Sequence, residues 1–331
     1  MNTPPKSGIR IPPDELEALI IALFEKAGTA RIHAEIMGQL LIQTDLRGIV
    51  SHGTQKAPEY LRLITQGRVN PRPSIRVVHE TTTTRVIDGD GGMGHWPCYE
   101  GTHWAIARAK EHGTAALTTR NHFHFGGASK YTRLAVEQDC IAFAVSCHRY
   151  QINPEWDILD LSRNSPLSFS VPAGEQPPVV PDMSMGFLPY DKDFFDRHPA
   201  AYFKVLGLSV IPQVLGGVIA GIHKQEFAPP QSPWESNQGS FIAVFDAASF
   251  MPLDELKAEM DRYMSQARAT RPAPGYDRAE LPGGPEWLCQ QEYARDGIPI
   301  GDKDLKSLQE IAAKLDVETP FERFQHTRFA P

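Results

Sequence analysis

At Thr84-Arg85-Val86-Ile87-Asp88-Gly89-Asp90-Gly91-Gly92-Met93-Gly94 the sequence passes from a β-type run into a glycine-rich turn. A helix is predicted directly after this turn, from about Trp96 to Glu111. Pro181 indicates an edge strand or a strand end, because proline cannot donate a hydrogen bond to a neighbouring strand. Further β-type runs alternate with helical windows, over residues 75–78, 115–119, 141–146, 167–171, 179–181 and 241–245. Such alternation predicts an α/β fold with a mixed sheet.

The glycines of this turn, Gly89-x-Gly91-x-x-Gly94, have the spacing of a dinucleotide-binding fingerprint between a strand and a helix. In that fingerprint an acidic residue follows about 20 positions later, at the tip of a second strand. The candidate here is Glu111, which falls at the end of the predicted helix. We therefore favour a plain strand-to-helix turn over a Rossmann cofactor site, and both interpretations stay open at this point.

In the N-terminal part of the chain, the apolar residues recur with the period of an α-helix. A first helix begins at Pro13, carries apolar residues from Leu16 to Phe24 and ends before Gly28. Further helices are predicted over about 34–44, 58–65 and 304–315. Residues 45–53 lack this period and contain two glycines, so we expect three helices around one polar loop.

Length and charge indicate the number of domains and argue against one class of partner. The chain has 331 residues, which favours two domains or one large α/β unit. Its 33 basic and 40 acidic residues give a net charge of −7 without a dense basic run, and this argues against nucleic acid as a partner.

The cysteines and the apolar runs indicate the cellular compartment and the solubility of the protein. Four cysteines lie far apart without a CxxC spacing, and the start of the chain does not resemble a signal peptide, so we expect a reduced cytoplasm. The longest apolar runs, 16–24 and 205–222, are interrupted by Glu17 and by Pro212. We therefore expect a soluble protein without a membrane-spanning helix.

Two groups of side chains are candidates for a metal site. His122-x-His124 places two imidazoles on one side of an extended segment, and a second group comprises His95, Cys98 and His103. Catalytic zinc generally takes three protein ligands, and neither group supplies a third at a usual spacing. We therefore predict no metal.

The loop residues Ser51-His52-Gly53 carry groups suited to proton transfer. His52 titrates near neutral pH, Ser51 can orient its ring, and Arg47 and Lys56 supply cations for an anionic substrate. From these residues alone, a hydrogen-bonded structural histidine is the favoured interpretation, and proton transfer is the alternative.

A set of motifs in one order resembles the malate/L-lactate dehydrogenase family, which is unrelated to the Rossmann lactate dehydrogenases. This family includes ureidoglycolate and L-sulfolactate dehydrogenases, 2,3-diketo-L-gulonate reductase and piperideine-2-carboxylate reductase. The resemblance covers nearly the whole chain. The motifs are Asp45-Leu46-Arg47-Gly48-Ile49-x-Ser51-His52-Gly53, Asp88-Gly89-x-Gly91-Gly92-x-Gly94-His95, His124-Phe125-Gly126-Gly127, Asn164-Ser165-Pro166-Leu167, Val180-Pro181-Asp182-Met183, Lys204-x-x-Gly207-Leu208, Phe241-Ile242-Ala243-Val244-Phe245-Asp246 and Gly297-Ile298-Pro299.

The resemblance implies an architecture and an activity. The fold is expected to be a non-Rossmann, three-layer α/β structure with a mixed sheet. Residues 1–73 and 290–331 would form a helical domain with the Ser-His-Gly loop, and residues 74–289 the cofactor-binding domain. The implied activity is that of an NAD- or NADP-dependent oxidoreductase, which passes a hydride between nicotinamide and a 2-oxo acid or cyclic imine acid. A cytoplasmic homodimer is expected.

The resemblance also implies roles for individual residues. His52 would donate or accept the proton, with Ser51 and Asp182 holding its ring in one tautomer. His124 would lie between substrate and cofactor, and Arg47 and Lys56 would face the substrate carboxylate. The residues expected to bind the cofactor are His124, Gly126, Asn164, Asp182, Met183, Ser184 and Lys204.

Three departures from the family pattern leave an alternative open. Lys56 stands where the family usually has arginine, and Arg163-Asn164-Ser165-Pro166 replaces Gly-Thr-Asn-Pro with an apparent extra residue. The segment 183–203 is shorter than in relatives. The alternative is a family member with lost or altered cofactor use, which acts as a binding protein or in a different reaction.

Overall fold

The computed structural model describes residues 3–149, 152–161, 165–189 and 191–330. The chain forms two compact units, the first comprising Met1–Arg72 with Ala267–Pro331 and the second Pro73–Gln266. The predicted boundary near residue 290 therefore lies at residue 267. The physical reason is that residue 290 lies inside the helix Gly284–Asp296, which packs against the N-terminal part of the first unit. A Cβ atom on Gly48 would lie 3.1 Å from Sγ of Cys289 on this helix.

The first unit combines helices with a two-stranded sheet. Its strands pair antiparallel in a register that joins Gly8 to Gly301 and Ile11 to Ile298, a pairing that we did not predict. Its elements are β1 (Gly8–Ile11), α1 (Pro13–Lys26), α2 (Arg31–Leu46), α3 (Ala57–Thr65), α9 (Gly284–Asp296), β9 (Ile298–Gly301) and α10 (Asp302–Lys314).

The N-terminal helices form for the reasons that their sequence suggests. Pro13 lies in the first turn of α1, where its missing N–H is not needed, and two acidic residues stabilise the positive end of the helix dipole. The apolar face of α1, from Leu16 to Phe24, is buried. The loop between α2 and α3 forms two short 3₁₀ turns, Val50–His52 and Thr54–Lys56. The predicted arrangement of three helices and one polar loop is confirmed.

The second unit contains a seven-stranded mixed sheet with the strand order β2-β3-β4-β8-β5-β6-β7. Among these strands β3 and β4 are parallel neighbours, and the other neighbouring pairs are antiparallel. The predicted run 179–181 pairs only through a bridge between Val179 and Val171, and Pro181 directly precedes β7, which lies at the sheet edge. The strands are β2 (Arg76–Glu80), β3 (Thr84–Asp88), β4 (Thr114–His122), β5 (Cys140–His148), β6 (Pro166–Ser170), β7 (Asp182–Ser184) and β8 (Gln238–Asp246).

Helices cover both faces of this sheet, which gives the predicted three layers. The helices are α4 (His95–His112), α5 (Ser129–Val136), α6 (Lys192–Arg197), α7 (Pro199–Pro212) and α8 (Leu253–Arg268). On one face α4 and α5 bury a core that includes Leu117, Tyr131 and Ile242. On the other face a π-helical stretch, Gln213–Ile219, continues α7 and packs its glycines against Cys147.

The glycine-rich turn after β3 is explained by packing within the protein. A Cβ atom on Gly91 would lie 2.3 Å from the ring of Trp234, and one on Gly94 would lie 2.6 Å from the carbonyl oxygen of Phe123. These glycines therefore admit neighbouring protein groups. The sheet is also mostly antiparallel, whereas a Rossmann sheet is mostly parallel. The plain strand-to-helix turn is confirmed.

The prediction that Pro212 interrupts the apolar run 205–222 is wrong. The helix runs on from Pro199 to Ile219, because the wider π-helical turns after Pro212 accommodate its missing N–H. By length and composition alone this helix could cross a membrane, although about a third of its apolar window is buried. One such helix is weak support for a membrane protein, since core helices of soluble proteins have the same properties.

Candidate active site

The Ser-His-Gly loop holds the ring of His52 through its neighbour in sequence. The hydroxyl oxygen of Ser51 lies 3.0 Å from Nδ1 of His52, and both side chains are half-buried. The hydroxyl can accept a hydrogen from Nδ1–H or donate one to a bare Nδ1, according to the tautomer. A ring fixed in this way can present its second nitrogen in a constant direction, as a proton donor or acceptor must.

The two cations predicted near the substrate both have protein partners. Arg47 lies at the end of α2, is almost completely buried, and donates from Nη1 to the carbonyl oxygen of Gln43 at 3.1 Å. The ammonium of Lys56 lies 2.9 Å from the carboxylate of Glu59 one turn later. Arg47 therefore stabilises the end of its own helix, and part of the charge of Lys56 is balanced within α3.

In the second unit, several predicted residues lie along one edge of the sheet. Strands β3, β4, β5 and β7 run in the same direction, so their carboxyl ends meet there; we call this the carboxyl edge. His124 and Gly126 follow β4, and Ser184 ends β7. Asn164, predicted to bind the cofactor, and its neighbour Arg163 lie outside the described residues.

A buried lysine beside Gly126 was missed from the sequence. Lys130, in the first turn of α5, is only 5% exposed. A Cβ atom on Gly126 would lie 2.5 Å from Cε of Lys130 and 2.7 Å from Nε2 of His95, so these two side chains converge on the glycine. The ring of His95 also lies edge-on to that of His124, with 6.4 Å between centroids. Gly126 is thus required by these side chains and by its positive φ of 85°.

The predicted residues of β7 are exposed, and Asp182 has a clear local contact. Its Oδ2 accepts a hydrogen bond from the backbone N–H of Ser129 at 3.0 Å, at the amino end of α5. The negative carboxylate there also stabilises the helix dipole. Asp182 therefore connects β7 to the helix that follows His124 and Gly126, and Met183 and Ser184 extend the strand with exposed side chains.

Lys204, the last predicted cofactor residue, lies on α7 with its side chain exposed. One turn later, a Cβ atom on Gly207 would have no atom within 4 Å. The helix backbone at Gly207 is therefore open to close approach, and the ammonium of Lys204 supplies a positive charge next to it.

His122, considered above as a metal ligand and not predicted to be one, has both ring nitrogens engaged by protein groups. Nδ1 lies 2.6 Å from the carbonyl oxygen of Phe123, which can only accept, so Nδ1 carries the hydrogen. Nε2 lies 2.7 Å from the hydroxyl of Thr119. Burial lowers the pKa of His122 to about 4. The ring is therefore a neutral part of the core.

Three of the cysteines belong to the core, as does His95 of the second metal candidate, whereas His103 of that candidate is exposed. Burial raises the pKa of Cys98, Cys140 and Cys147 to about 11, so these thiols stay protonated and unreactive at neutral pH. The thiol of Cys98 contacts the hydroxyls of Thr119 and Ser240. Within the described part of the chain, no three or more His, Cys, Asp and Glu side chains are grouped so that they could hold a metal ion.

Comparisons with known proteins agree with this architecture. A sequence profile of the malate/L-lactate dehydrogenase family matches residues 11–192 and 196–309. The chain is 28% identical to malate dehydrogenase of Pyrococcus horikoshii, over 94% of the chain and 96% of that protein. It is 25% identical to L-sulfolactate dehydrogenase of Methanocaldococcus jannaschii, over 92% and 96% of the two chains. The solved structure of the Pyrococcus horikoshii enzyme superposes with a TM-score of 0.83 over 94% of this chain and 97% of that one.

Proposed function

Because the chain belongs to the malate/L-lactate dehydrogenase family, we propose that it interconverts a small 2-oxo acid, or a cyclic imine acid, and its reduced form by hydride transfer, with His52 as proton donor and acceptor. The observation that carries this proposal is the 3.0 Å contact between Ser51 and Nδ1 of His52. It supplies one requirement of general acid–base catalysis, an imidazole with a fixed orientation, on a half-buried loop.

The other predicted site residues are assigned supporting roles. Asp182 is proposed as a second group that favours one tautomer of His52, and His124 as a residue that borders substrate and cofactor. Both proposals rest on the family resemblance. Arg47 and Lys56 are proposed to supply positive potential for the substrate carboxylate. Of these two, Lys56 is the better candidate for direct contact, because Arg47 is almost completely buried and donates to its own helix.

The residues present fit a dinucleotide at the start of α7. Lys204 supplies an ammonium for a phosphate, and the backbone at Gly207 has room for close approach. NAD or NADP would supply the hydride acceptor or donor when bound. Gly126, Met183, Ser184 and Asn164 are proposed as further contacts, with Arg163 next to them in sequence as a candidate that favours NADPH through its charge.

The substrate class follows from the relatives. Malate and sulfolactate dehydrogenases act on small acids, and we propose a small carboxylated substrate here. A cytoplasmic homodimer is proposed as well. Exposed apolar side chains on α7 and its π-helical continuation, among them Phe203 and Val218, are of the kind that subunit interfaces cover. The alternative without cofactor use gains no support, since the family match resumes at residue 196 after a gap of only three residues.

A direct assay tests the proposal. Purified protein is mixed with NADH or NADPH and a panel of 2-oxo acids and cyclic imine acids, and the loss of reduced cofactor is followed by absorbance. We expect turnover with at least one pair, and loss of that turnover in His52→Ala with unchanged cofactor affinity. Binding of neither cofactor in a fluorescence titration would contradict the proposal.

A further inference from the structure

We infer that Asp45 is a positioning residue for the proton-transfer histidine, because it closes the loop that carries His52 at both ends. This inference rests on the proposed role of His52. Asp45 lies in the last turn of α2, seven residues before His52, and is only 3% exposed. Asp45 is the first residue of the family motif Asp45–Gly53, and the motif alone assigns it no role.

Two sets of hydrogen bonds join Asp45 to the two ends of the loop. At the start, its backbone carbonyl oxygen accepts from the N–H of Gly48 at 2.8 Å. At the far end, its carboxylate oxygen Oδ2 accepts from the N–H of Thr54 at 2.9 Å and from the hydroxyl of Thr54 at 2.5 Å. The backbone of Ser51 and His52 lies between these attachments, so Asp45 sets where the loop begins and where it ends.

Gly53 allows the loop to close onto this carboxylate. A Cβ atom at position 53 would lie 1.7 Å from Oδ1 of Asp45, far inside van der Waals contact. The φ angle of Gly53 is −90°, which other residues adopt readily, so the need for glycine is one of space. The residue directly after His52 is therefore held against the buried carboxylate.

A buried carboxylate is well suited to this task. Its desolvation is offset only if donors satisfy it, so the loop conformation that supplies the Thr54 donors is favoured over others. Ser51 then fixes the rotation of the ring, while Asp45 and Thr54 fix the backbone from which the ring extends. A proton donor displaced by about 1 Å can lose on the order of 100-fold in rate, so this attachment matters for turnover.

The test removes the hydroxyl donor and keeps the carboxylate. Thr54→Val deletes the 2.5 Å contact, Thr54→Ser retains it, and Asp45→Asn removes the charge at constant shape. The matched control is Thr44→Val, which deletes another buried threonine hydroxyl of α2, one that donates to the carbonyl oxygen of Leu40. For each variant, kcat, KM, the cofactor affinity and the solvent deuterium isotope effect on kcat are measured on folded protein.

We expect Thr54→Val and Asp45→Asn to lower kcat by roughly 10-fold or more and to raise the isotope effect, because proton transfer becomes slower. Cofactor affinity should stay at the parent value. Thr54→Ser and Thr44→Val should keep kcat within about 3-fold of the parent. A merely structural role would reduce the melting temperature without changing the isotope effect.

The outcomes separate the inference from the function on which it rests. If His52→Ala abolishes turnover while folded Thr54→Val and Asp45→Asn keep the kcat and isotope effect of the parent, the inference is wrong and the proposed function stands. If His52→Ala retains turnover, the proposed role of His52 fails, and the inference about Asp45 fails with it. If Asp45→Asn does not fold, Thr54→Val alone decides the test. Equal losses of kcat in Thr54→Val and Thr54→Ser would also overturn the inference.

Discussion

The hydroxyl of Ser51 lies 3.0 Å from Nδ1 of His52, so the ring is held by the residue next to it in the chain. Such a local contact needs no distant element and depends only on the 3₁₀ turn in which both residues lie. The orientation of the ring can therefore be tested separately from proton transfer, because Ser51 can be replaced while His52 is kept.

His52→Ala should abolish measurable turnover, since loss of general acid–base assistance typically lowers rates about 10²–10⁴-fold. Ser51→Ala should lower kcat by a smaller factor, about 10-fold, because the ring remains but samples more orientations. Initial rates and a cofactor titration check both variants. Turnover within a few-fold of the parent in His52→Ala would move the proton donor elsewhere, with His124 as the next candidate.

Lys56→Met should raise KM for the acid substrate more than it lowers kcat, because the role proposed for the ammonium is to supply positive potential for the substrate carboxylate. Lys56→Arg should improve activity on ordinary 2-oxo acids, since a guanidinium matches the two oxygens of a carboxylate. The matched control is Arg108→Met. Arg108 forms the same kind of ion pair with a glutamate three residues later, at 2.9 Å, and its side chain is equally exposed at 34%. Identical kinetics of Lys56→Met and the parent would leave Lys56 as a helix-surface residue.

Lys204→Met should weaken binding of NADH or NADPH by about 10-fold, the effect of losing one charge-assisted phosphate contact of about 1.4 kcal/mol. Calorimetric titration measures this directly. Lys192→Met, which removes an exposed lysine paired with Asp196 on α6, serves as the control and should bind like the parent. Arg163→Thr belongs in the same series: lower NADPH affinity would show that Arg163 binds a phosphate, and stronger binding would show that it blocks the site.

The unfolding free energy should fall as the pH decreases from about 7 to about 4. Burial lowers the pKa of His122 from 6.5 to about 4, so between these values the unfolded chain binds more protons than the folded one. The loss attributable to His122 is on the order of 3 kcal/mol. Urea unfolding at several pH values measures it, and His122→Gln should flatten the dependence. The control His79→Gln, on the exposed strand β2, should leave it unchanged.

Val218→Glu should shift the protein towards the monomer if the exposed side of α7 and the π-helical stretch forms the proposed subunit interface. A glutamate placed in an apolar interface would lose its hydration without gaining a partner. Sedimentation equilibrium reports the mass. The control is Phe250→Glu, another strongly exposed apolar residue, which lies outside this helix and should leave the mass unchanged.

Local sequence patterns predicted most elements of this fold and the contact between Ser51 and His52. The buried face of α1, the turn after β3 and the edge position of β7 all depend on neighbouring residues. The pairing of β1 with β9 could not be predicted, because it joins segments almost 300 residues apart and neither run is long enough to indicate a partner. The predicted interruption at Pro212 was wrong, because a π-helical continuation leaves no clear signal in the sequence.

In the candidate site, too, local features could be predicted from the sequence and contacts that depend on the fold could not. Asp45 stands in the quoted family motif, yet its closeness to Gly53 arises only when α2 ends and the chain turns back. Lys130 reads as an exposed lysine in the sequence, and only the convergence of α4 and α5 on Gly126 buries it. For Asp45, the available signal in the sequence was an acidic residue at the end of a helix, just before a glycine-containing loop.

The position of β8 between β4 and β5 has a consequence for synthesis on the ribosome. Both strands precede β8 in the chain, so their facing edges stay unpaired until Gln238–Asp246 has been translated. Between the end of β5 and the end of β8 lie about 100 residues, or some 5–20 s at ordinary elongation rates. During this interval the nascent chain exposes two strand edges with unpaired backbone N–H and C=O groups, which can pair with other chains. Early termination in this window should therefore yield aggregation-prone fragments that engage chaperones.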